Sequence, residues 1–118
     1  MISGTCHCGA VAIELSEAPP ALIQCNCSLC RRNGALWAIY DANRVRISAE
    51  KSDVSEYVWG KRTIRTLRCR HCGCVTHWES LQGEGTVGIN FRNFDPEVIE
   101  AIATRRFDGA DTWAYVDA

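Results

Sequence analysis

The eight cysteines of this 118-residue sequence are the residues best suited to chemistry. They fall into three tight groups, which read 6-CHC-8, 25-CNCSLC-30 and 69-CRHCGC-74. Cysteines one or two residues apart are poorly placed to bridge each other and well placed to bind one metal ion. We also expect no export signal before the first group, and thiols in a reducing cytosol seldom stay oxidised. The groups therefore predict metal sites rather than disulfides.

Two of the groups together can complete a four-sulfur site. Cys6 and Cys8 stand where a strand begins, and the alternation of side chains along a strand turns both sulfurs to one side. Cys69 and Cys72 form a CxxCG knuckle, the turn type that binds zinc in many proteins. Neither pair saturates a tetrahedral ion alone. The four thiolates together predict a structural zinc site.

Cys74 is an alternative ligand for this first site. Gly73 separates it from Cys72, so these two cysteines form another C-x-C pair. The two-residue spacer of Cys69 and Cys72 suits tetrahedral coordination better, and the spacing therefore favours that pair. Cys74 is then expected to be a small, buried free thiol.

The remaining group, Cys25, Cys27 and Cys30, offers three thiols where zinc takes four ligands. In one interpretation Cys74 or His77 closes the tetrahedron and the site is structural. In the other, the fourth position is left to water or an external ligand, as in catalytic zinc sites. The spacing alone leaves both interpretations open.

The elements that must position these cysteines are mostly strands. Short apolar or alternating stretches, separated by Gly, Asn and Asp turns, predict an antiparallel meander with strands at 11–15, 36–40, 44–48, 54–59, 63–68 and 86–90. One short helix is predicted after Asp95, with Pro96 in its first position and Val98, Ile99 and Ile102 as its apolar stripe. A helical turn after Cys27 is also possible. The predicted class is mainly β.

Composition bounds the remaining possibilities. The length predicts one domain, 1–118. A net charge of −1 gives no basic surface for nucleic acid or an anionic membrane, so neither is expected as a partner. Apolar runs fall far short of the roughly 20 residues of a membrane helix. A cytoplasmic protein is expected, and nothing in the sequence predicts its oligomeric state.

The motifs 4-GTCHCG-9, 25-CNCSLC-30 and 69-CRHCG-73 together resemble those of the glutathione-dependent formaldehyde-activating enzyme family, also called aldehyde-activating or centromere-protein-V-like. The stretches 87–98 and 107–113 are similar to one bacterial branch of it. The resemblance implies a coiled, mostly β fold with two zinc ions per chain. It assigns the structural centre to Cys6, Cys8, Cys69 and Cys72, and the centre that acts on substrate to Cys25, Cys27 and Cys30. Asn26 departs from the family motif, which usually has His there.

The activity implied by the resemblance is that of a carbon–sulfur lyase that makes S-hydroxymethylglutathione from glutathione and formaldehyde. Three thiolates make a zinc centre anionic, which favours a soft fourth ligand such as the thiol of a substrate. Glutathione carries carboxylates, so cations are expected nearby, and Arg31, Arg92 and Asn90 are the candidates. Arg32 is a further candidate, although each arginine is alternatively a solvated surface charge. Trp37 is the tryptophan expected nearest this metal.

A second class of function stays open at this point. The same scaffold can serve as a zinc-stabilised binding module without catalysis, and the three thiols can also act in a redox protein. A DNA-binding zinc ribbon is disfavoured by the nearly neutral charge. Two zinc ions per chain are expected for the enzyme and the binding module, and one for a redox protein.

Overall fold

A computed structural model describes residues 1–116, and within this range the chain forms eleven strands and two short helices. Residues 117–118 of the predicted domain lie outside the described part. The strands are β1 (Ile2–Thr5), β2 (Ala12–Leu15), β3 (Leu22–Cys25), β4 (Trp37–Asp41), β5 (Val45–Ser48), β6 (Val54–Tyr57), β7 (Ile64–Cys69), β8 (Val75–Ser80), β9 (Thr86–Asn90), β10 (Thr104–Asp108) and β11 (Ala114–Tyr115). The helices are α1 (Ser28–Asn33) and α2 (Pro96–Glu100). The mainly β prediction is confirmed.

The strands form two sheets. The smaller has the order β1-β2-β5, and the larger has the order β11-β10-β3-β4-β9-β8-β7-β6. Neighbouring strands are antiparallel except β3 and β10, which pair in parallel. The larger sheet is therefore mixed, which corrects the expectation of purely antiparallel sheets. After α2 the chain returns beside β3 in the same direction, and the Leu22 N–H donates to the Ala103 carbonyl at 2.9 Å where the pairing begins.

The core lies where the sheets and α2 meet. Alternation along β2 buries Ile13 and Leu15, which join side chains of β3, β4 and β9 in one apolar cluster. The predicted stripe of α2, formed by Val98, Ile99 and Ile102, packs against this cluster. Burial of this stripe, rather than capping, holds the short helix, because Asp95 occupies the N-cap position without a side-chain capping bond.

All six predicted strands are present, with ends that differ by at most two residues. The prediction of one helix is incomplete, because the possible turn after Cys27 is the helix α1. The strands that were not predicted as elements include β1, β3 and β10, which are rich in Gly, Gln, Cys and Arg and lack clear alternation. Across residues 1–116, neither helix approaches the length and apolarity that crossing a bilayer requires.

Candidate metal centres

The first candidate centre brings together the sulfurs of Cys6, Cys8, Cys69 and Cys72, which all lie within 4.8 Å of one another. Sγ of Cys8 is 3.8 Å from Sγ of Cys6 and 3.5 Å from Sγ of Cys69. Zinc–sulfur bonds of about 2.3 Å in a tetrahedron separate the sulfurs by about 3.8 Å. The donor set and its spacing therefore fit a zinc ion.

Two tight turns position these four sulfurs. In the β1–β2 connection, the Gly9 N–H donates to the Cys6 carbonyl at 3.1 Å, and the Val11 N–H donates to the Cys6 sulfur at 3.3 Å. In the β7–β8 connection, the Gly73 N–H donates to the Cys69 carbonyl at 2.9 Å. Gly73 has φ +80°, a conformation that costs glycine little. A backbone hydrogen bond thus closes each turn, and in the first turn an amide also donates to a cysteine sulfur.

Backbone amides also favour the ionised thiol that a metal requires. Hydrogen bonds from the backbone of Cys74 and Cys8 lower the pKa of the Cys72 thiol to about 5. A thiolate is thus favoured at Cys72 before any ion adds its own charge.

Cys74 stands beside the first group but outside it. It packs against the buried Cys6, Val11 and Cys69, while its sulfur is not among the four that lie within 4.8 Å of one another. Its backbone carbonyl accepts a hydrogen bond from Cys69 N–H at 2.9 Å. This placement supports the preference for Cys72 as the fourth ligand, with Cys74 as a packed thiol.

The second candidate centre is formed by Cys25, Cys27 and Cys30, whose sulfurs also lie within 4.8 Å of one another. Cys25 ends β3, Cys27 is the N-cap of α1, and Cys30 lies in the first turn of α1. The Cys27 N–H donates to the Cys25 sulfur at 3.4 Å, and the Cys30 N–H donates to the Cys27 sulfur at 3.3 Å. The local backbone therefore donates to two of the three sulfurs, those of Cys25 and Cys27.

These thiols differ in acidity. Burial acts to raise the pKa of Cys27, but hydrogen bonds from Cys30 and the Leu29 backbone outweigh it and lower the pKa. Burial raises the pKa of Cys25 and of Cys30. The indole N–H of Trp37 donates to the Cys30 sulfur at 3.3 Å, which confirms that Trp37 lies beside this group. Each sulfur thus has at least one neighbouring donor.

A fourth protein ligand does not accompany the second group within residues 1–116, where the sulfurs of Cys25, Cys27 and Cys30 are its only members. Cys74 packs with the first group instead. His77 is buried, and its Nδ1 pairs with the Thr76 hydroxyl at 2.9 Å, while burial lowers its pKa. In the described part of the chain, neither Cys74 nor His77 is therefore grouped with these three sulfurs, as the interpretation of a closed structural site would require.

A cleft of about 440 Å³ adjoins the second group, and Cys25 and Cys30 form part of its wall. Arg31, Arg92 and Arg106 also line it, and none of its described lining residues is Asp or Glu. The cleft is large enough for a small organic ligand, since such sites span about 300–1,000 Å³. Three of its eleven described lining residues are therefore arginines, in a chain of net charge −1.

The arginines predicted to bind substrate differ in whether they line the cleft. Arg31 and Arg92 line the cleft, and Arg92 Nε donates to the Gly34 carbonyl at 3.1 Å. Arg32 is not part of the lining and donates to the Ser28 carbonyl at 2.8 Å. Of the two adjacent arginines, Arg31 therefore lines the cleft and Arg32 contacts the backbone of α1.

Asn90 does not line the cleft. It is buried, and its Oδ1 accepts hydrogen bonds from the backbone N–H of Leu36 at 3.2 Å and of Arg92 at 3.1 Å. Its Nδ2 donates to the Val75 carbonyl at 2.8 Å. Binding of a ligand by Asn90 stays a prediction, and its contacts suit a residue that holds the Arg92 backbone in place.

Arg106 and the loop 108–113 were missed by sequence reasoning. Strand β10 places Arg106 opposite Gln24 and Phe107 opposite Cys25 on β3. The loop that follows is fastened to the second group by Asn26, whose Nδ2 donates to Asp108 Oδ1 and whose Oδ1 accepts from the Ala110 N–H, both at 3.0 Å. The only sequence signal was the similarity of 107–113 to a family branch.

The chain is similar to known proteins in sequence and in overall fold. Residues 1–107 match a family model described as glutathione-dependent formaldehyde-activating enzyme. The chain is also similar to the crystal structure of a Rhodobacter sphaeroides protein, with 31% sequence identity and a TM-score of 0.71. That similarity covers 87% of this chain and 99% of the other. The family prediction made from the cysteine motifs is confirmed.

Proposed function

Because this chain belongs to the glutathione-dependent formaldehyde-activating enzyme family, we propose that it is a zinc-dependent carbon–sulfur lyase. It catalyses the joining of glutathione and formaldehyde to S-hydroxymethylglutathione, and the reverse cleavage. Two zinc ions per chain are part of the proposal. One is held by Cys6, Cys8, Cys69 and Cys72, and the other by Cys25, Cys27 and Cys30.

One observation supports this proposal above all others. The three-thiol group lies in the wall of a cleft that also presents three arginines and, among its described lining residues, no carboxylate. Glutathione carries two carboxylates and one thiol, so it matches both features at once. Arginine binds carboxylates through two parallel N–H donors, and such charge-assisted bonds are among the strongest in proteins.

The reaction needs no oxidant or reductant. The sulfur of the thiol bonds to the carbonyl carbon, the π electrons of the carbonyl move to its oxygen, and the proton lost by the thiol ends on that oxygen. When bound by Cys25, Cys27 and Cys30, zinc would supply Lewis acidity that keeps a fourth, incoming thiol in its thiolate form. Reverse cleavage follows the same steps backwards.

The side chains around the cleft have distinct roles in this proposal. Arg31, Arg92 and Arg106 bind the carboxylates and so hold the thiol end of glutathione at the three cysteines. The backbone amides that donate to Cys25 and Cys27 keep those sulfurs fixed when the ligand arrives. Holding the reactants together in this way accounts for much of the rate enhancement that such a site needs.

The proposal is tested by glutathione titration of the metal-loaded protein, followed by an assay of adduct formation with formaldehyde. Cobalt in place of zinc gives a visible absorption band that changes when a thiol enters the coordination sphere. We expect two metal ions per chain, a change in the band of one of them, and faster adduct formation than in buffer.

Arginine variants make this test specific to the cleft. Arg106→Gln should weaken glutathione binding about tenfold, because a charge-assisted hydrogen bond contributes about 1.5–3 kcal/mol. The control is Arg32→Gln, which changes an arginine outside the cleft lining and should bind glutathione as the unmodified protein does. Equal binding by both variants, or an unchanged cobalt spectrum at saturating glutathione, would contradict the proposed function.

A further inference from the structure

The loop 108–113 is built around one carboxylate. Asp108 Oδ1 accepts from Asn26 Nδ2, and Asp108 Oδ2 accepts from the Thr112 N–H at 3.2 Å and the Thr112 hydroxyl at 2.9 Å. The Asp108 carbonyl accepts from the Trp113 N–H at 2.7 Å. This short loop is therefore held in one conformation by hydrogen bonds at both of its ends.

That conformation brings Trp113 to the second cysteine group. A Cβ atom added to Gly109 would lie 2.6 Å from the Cys25 sulfur and 3.5 Å from Cζ3 of the Trp113 indole. The absence of a side chain at Gly109 thus lets the loop lie directly on Cys25. The Trp113 indole and the Cys25 sulfur therefore both border the space that a methyl group on Gly109 would occupy.

The backbone conformation and the exposure of Trp113 are both energetically unfavourable. Its φ is +57°, a left-handed conformation that is strained for a bulky residue. The residue is 71% exposed although its ring also meets the Phe107 ring edge-on, with centroids 5.0 Å apart. Neither strain nor exposure of a large indole stabilises the fold, so the arrangement points to a ligand.

Cys25 adjoins both the cleft with its three arginines and the space at Gly109 that Trp113 also adjoins. Trp113 is not among the residues that line the cleft, although its ring partner Phe107 is. In an adduct formed at this site, the former carbonyl carbon is bonded directly to the sulfur of the substrate. Any substituent on that carbon therefore begins two bonds from this sulfur, which the proposed function holds beside Cys25, and can reach a surface that adjoins Cys25.

We propose that Trp113 is a specificity-determining residue whose indole binds an apolar substituent of the aldehyde. The inference rests on the proposed function and extends its substrate class from formaldehyde, which has no such substituent, to aldehydes that carry a short alkyl or aryl group. Arginines of the cleft hold the thiol carrier, and Trp113 receives the aldehyde's substituent next to Cys25.

Stable thioethers test the inference by binding rather than by turnover. S-methylglutathione and S-hexylglutathione differ by five methylenes and imitate adducts of a small and a larger aldehyde. Partial burial of those methylenes against the indole should make S-hexylglutathione bind about tenfold more tightly to the full zinc-loaded chain. Isothermal titration gives both dissociation constants.

The ratio of the two constants should fall to nearly one in Trp113→Ala and stay close to tenfold in Trp113→Phe. The control is Trp59→Ala, which removes another exposed tryptophan, between β6 and β7, and should leave the ratio unchanged. Metal content and the melting temperature accompany each titration. Since Trp113 is mostly exposed, both should match those of the unmodified protein.

Two results would overturn the inference, and they differ in what else they affect. If both thioethers bind with equal affinity, or if Trp113→Ala keeps the preference for the hexyl compound, Trp113 does not select the substrate and the proposed function stands. If neither thioether nor glutathione binds the zinc-loaded protein, the proposed function fails together with the inference.

Discussion

Replacing Trp37 by Phe should loosen the second metal centre and leave the first unchanged. Trp37 is buried, and its indole N–H donates to the Cys30 sulfur at 3.3 Å. Phe keeps an aromatic ring at this position but removes the donor. A hydrogen bond to a charged acceptor contributes about 1.5–3 kcal/mol. Since about 1.4 kcal/mol corresponds to a factor of ten, zinc affinity at the second centre should fall about 10- to 150-fold.

The matched control is Trp78→Phe. Trp78 meets Trp37 edge-on with ring centroids 6.5 Å apart, and it lies against Gly88 rather than against a thiol. The same indole-to-phenyl change there removes similar packing without touching the donor to Cys30. The zinc-loaded proteins are titrated with increasing concentrations of a chelator. Trp37→Phe should release one zinc ion at a lower chelator concentration than the unmodified protein does, whereas Trp78→Phe should release its ions at the same concentrations as the unmodified protein.

Two outcomes would refute this reasoning. If both variants lose the second zinc at the same chelator concentration, packing of the aromatic pair and not the hydrogen bond supports the centre. If Trp37→Phe loses both ions together, the two centres are not independent. A urea titration of each variant separates these effects from a general loss of stability.

Four further predictions concern the cysteines and their contacts. Cys69→Ser should unfold the chain at room temperature, because a structural zinc contributes on the order of 10 kcal/mol and domains are stable by only about 5–15 kcal/mol; circular dichroism reports this. Cys27→Ser should instead keep the fold, lose one zinc ion by metal analysis and lose activity. Cys74→Ala should keep two zinc ions per chain, and one ion would make Cys74 a ligand. Gly109→Ala places a methyl group 2.6 Å from the Cys25 sulfur, so overpacking of about 1–3 kcal/mol should weaken the second zinc in chelator competition.

The cysteine groups could be predicted because their information is local. Six consecutive residues contain Cys25, Cys27 and Cys30, and this spacing alone limits the directions in which the three sulfurs can point. The strand that contains Ile13 and Leu15 could be predicted for the same reason, since alternation along a strand is a property of neighbouring residues. Short-range patterns thus sufficed for the grouping of neighbouring thiols and for six of the eleven described strands.

The cleft could not be predicted, because it depends on pairing between distant segments. Arg106 reaches the second group only through the parallel pairing of β10 with β3. Asn90 was expected to bind substrate from its polar side chain in a family-like segment. That side chain is buried between the Leu36 and Arg92 amides and the Val75 carbonyl, a set of partners that no sequence pattern reveals.

The two cysteine groups also differ in how much of the chain they hold together. In the first group, Cys8 and Cys69 meet across 61 residues, so their approach closes a long loop and joins two separate turns. In the second group, backbone amides of the same short segment already donate to two of the three sulfurs. A metal ion at the first group would therefore stabilise the tertiary structure, whereas an ion at the second would add little to it. In the proposed function, the second group is for that reason the one at which a substrate can bind and leave while the fold persists.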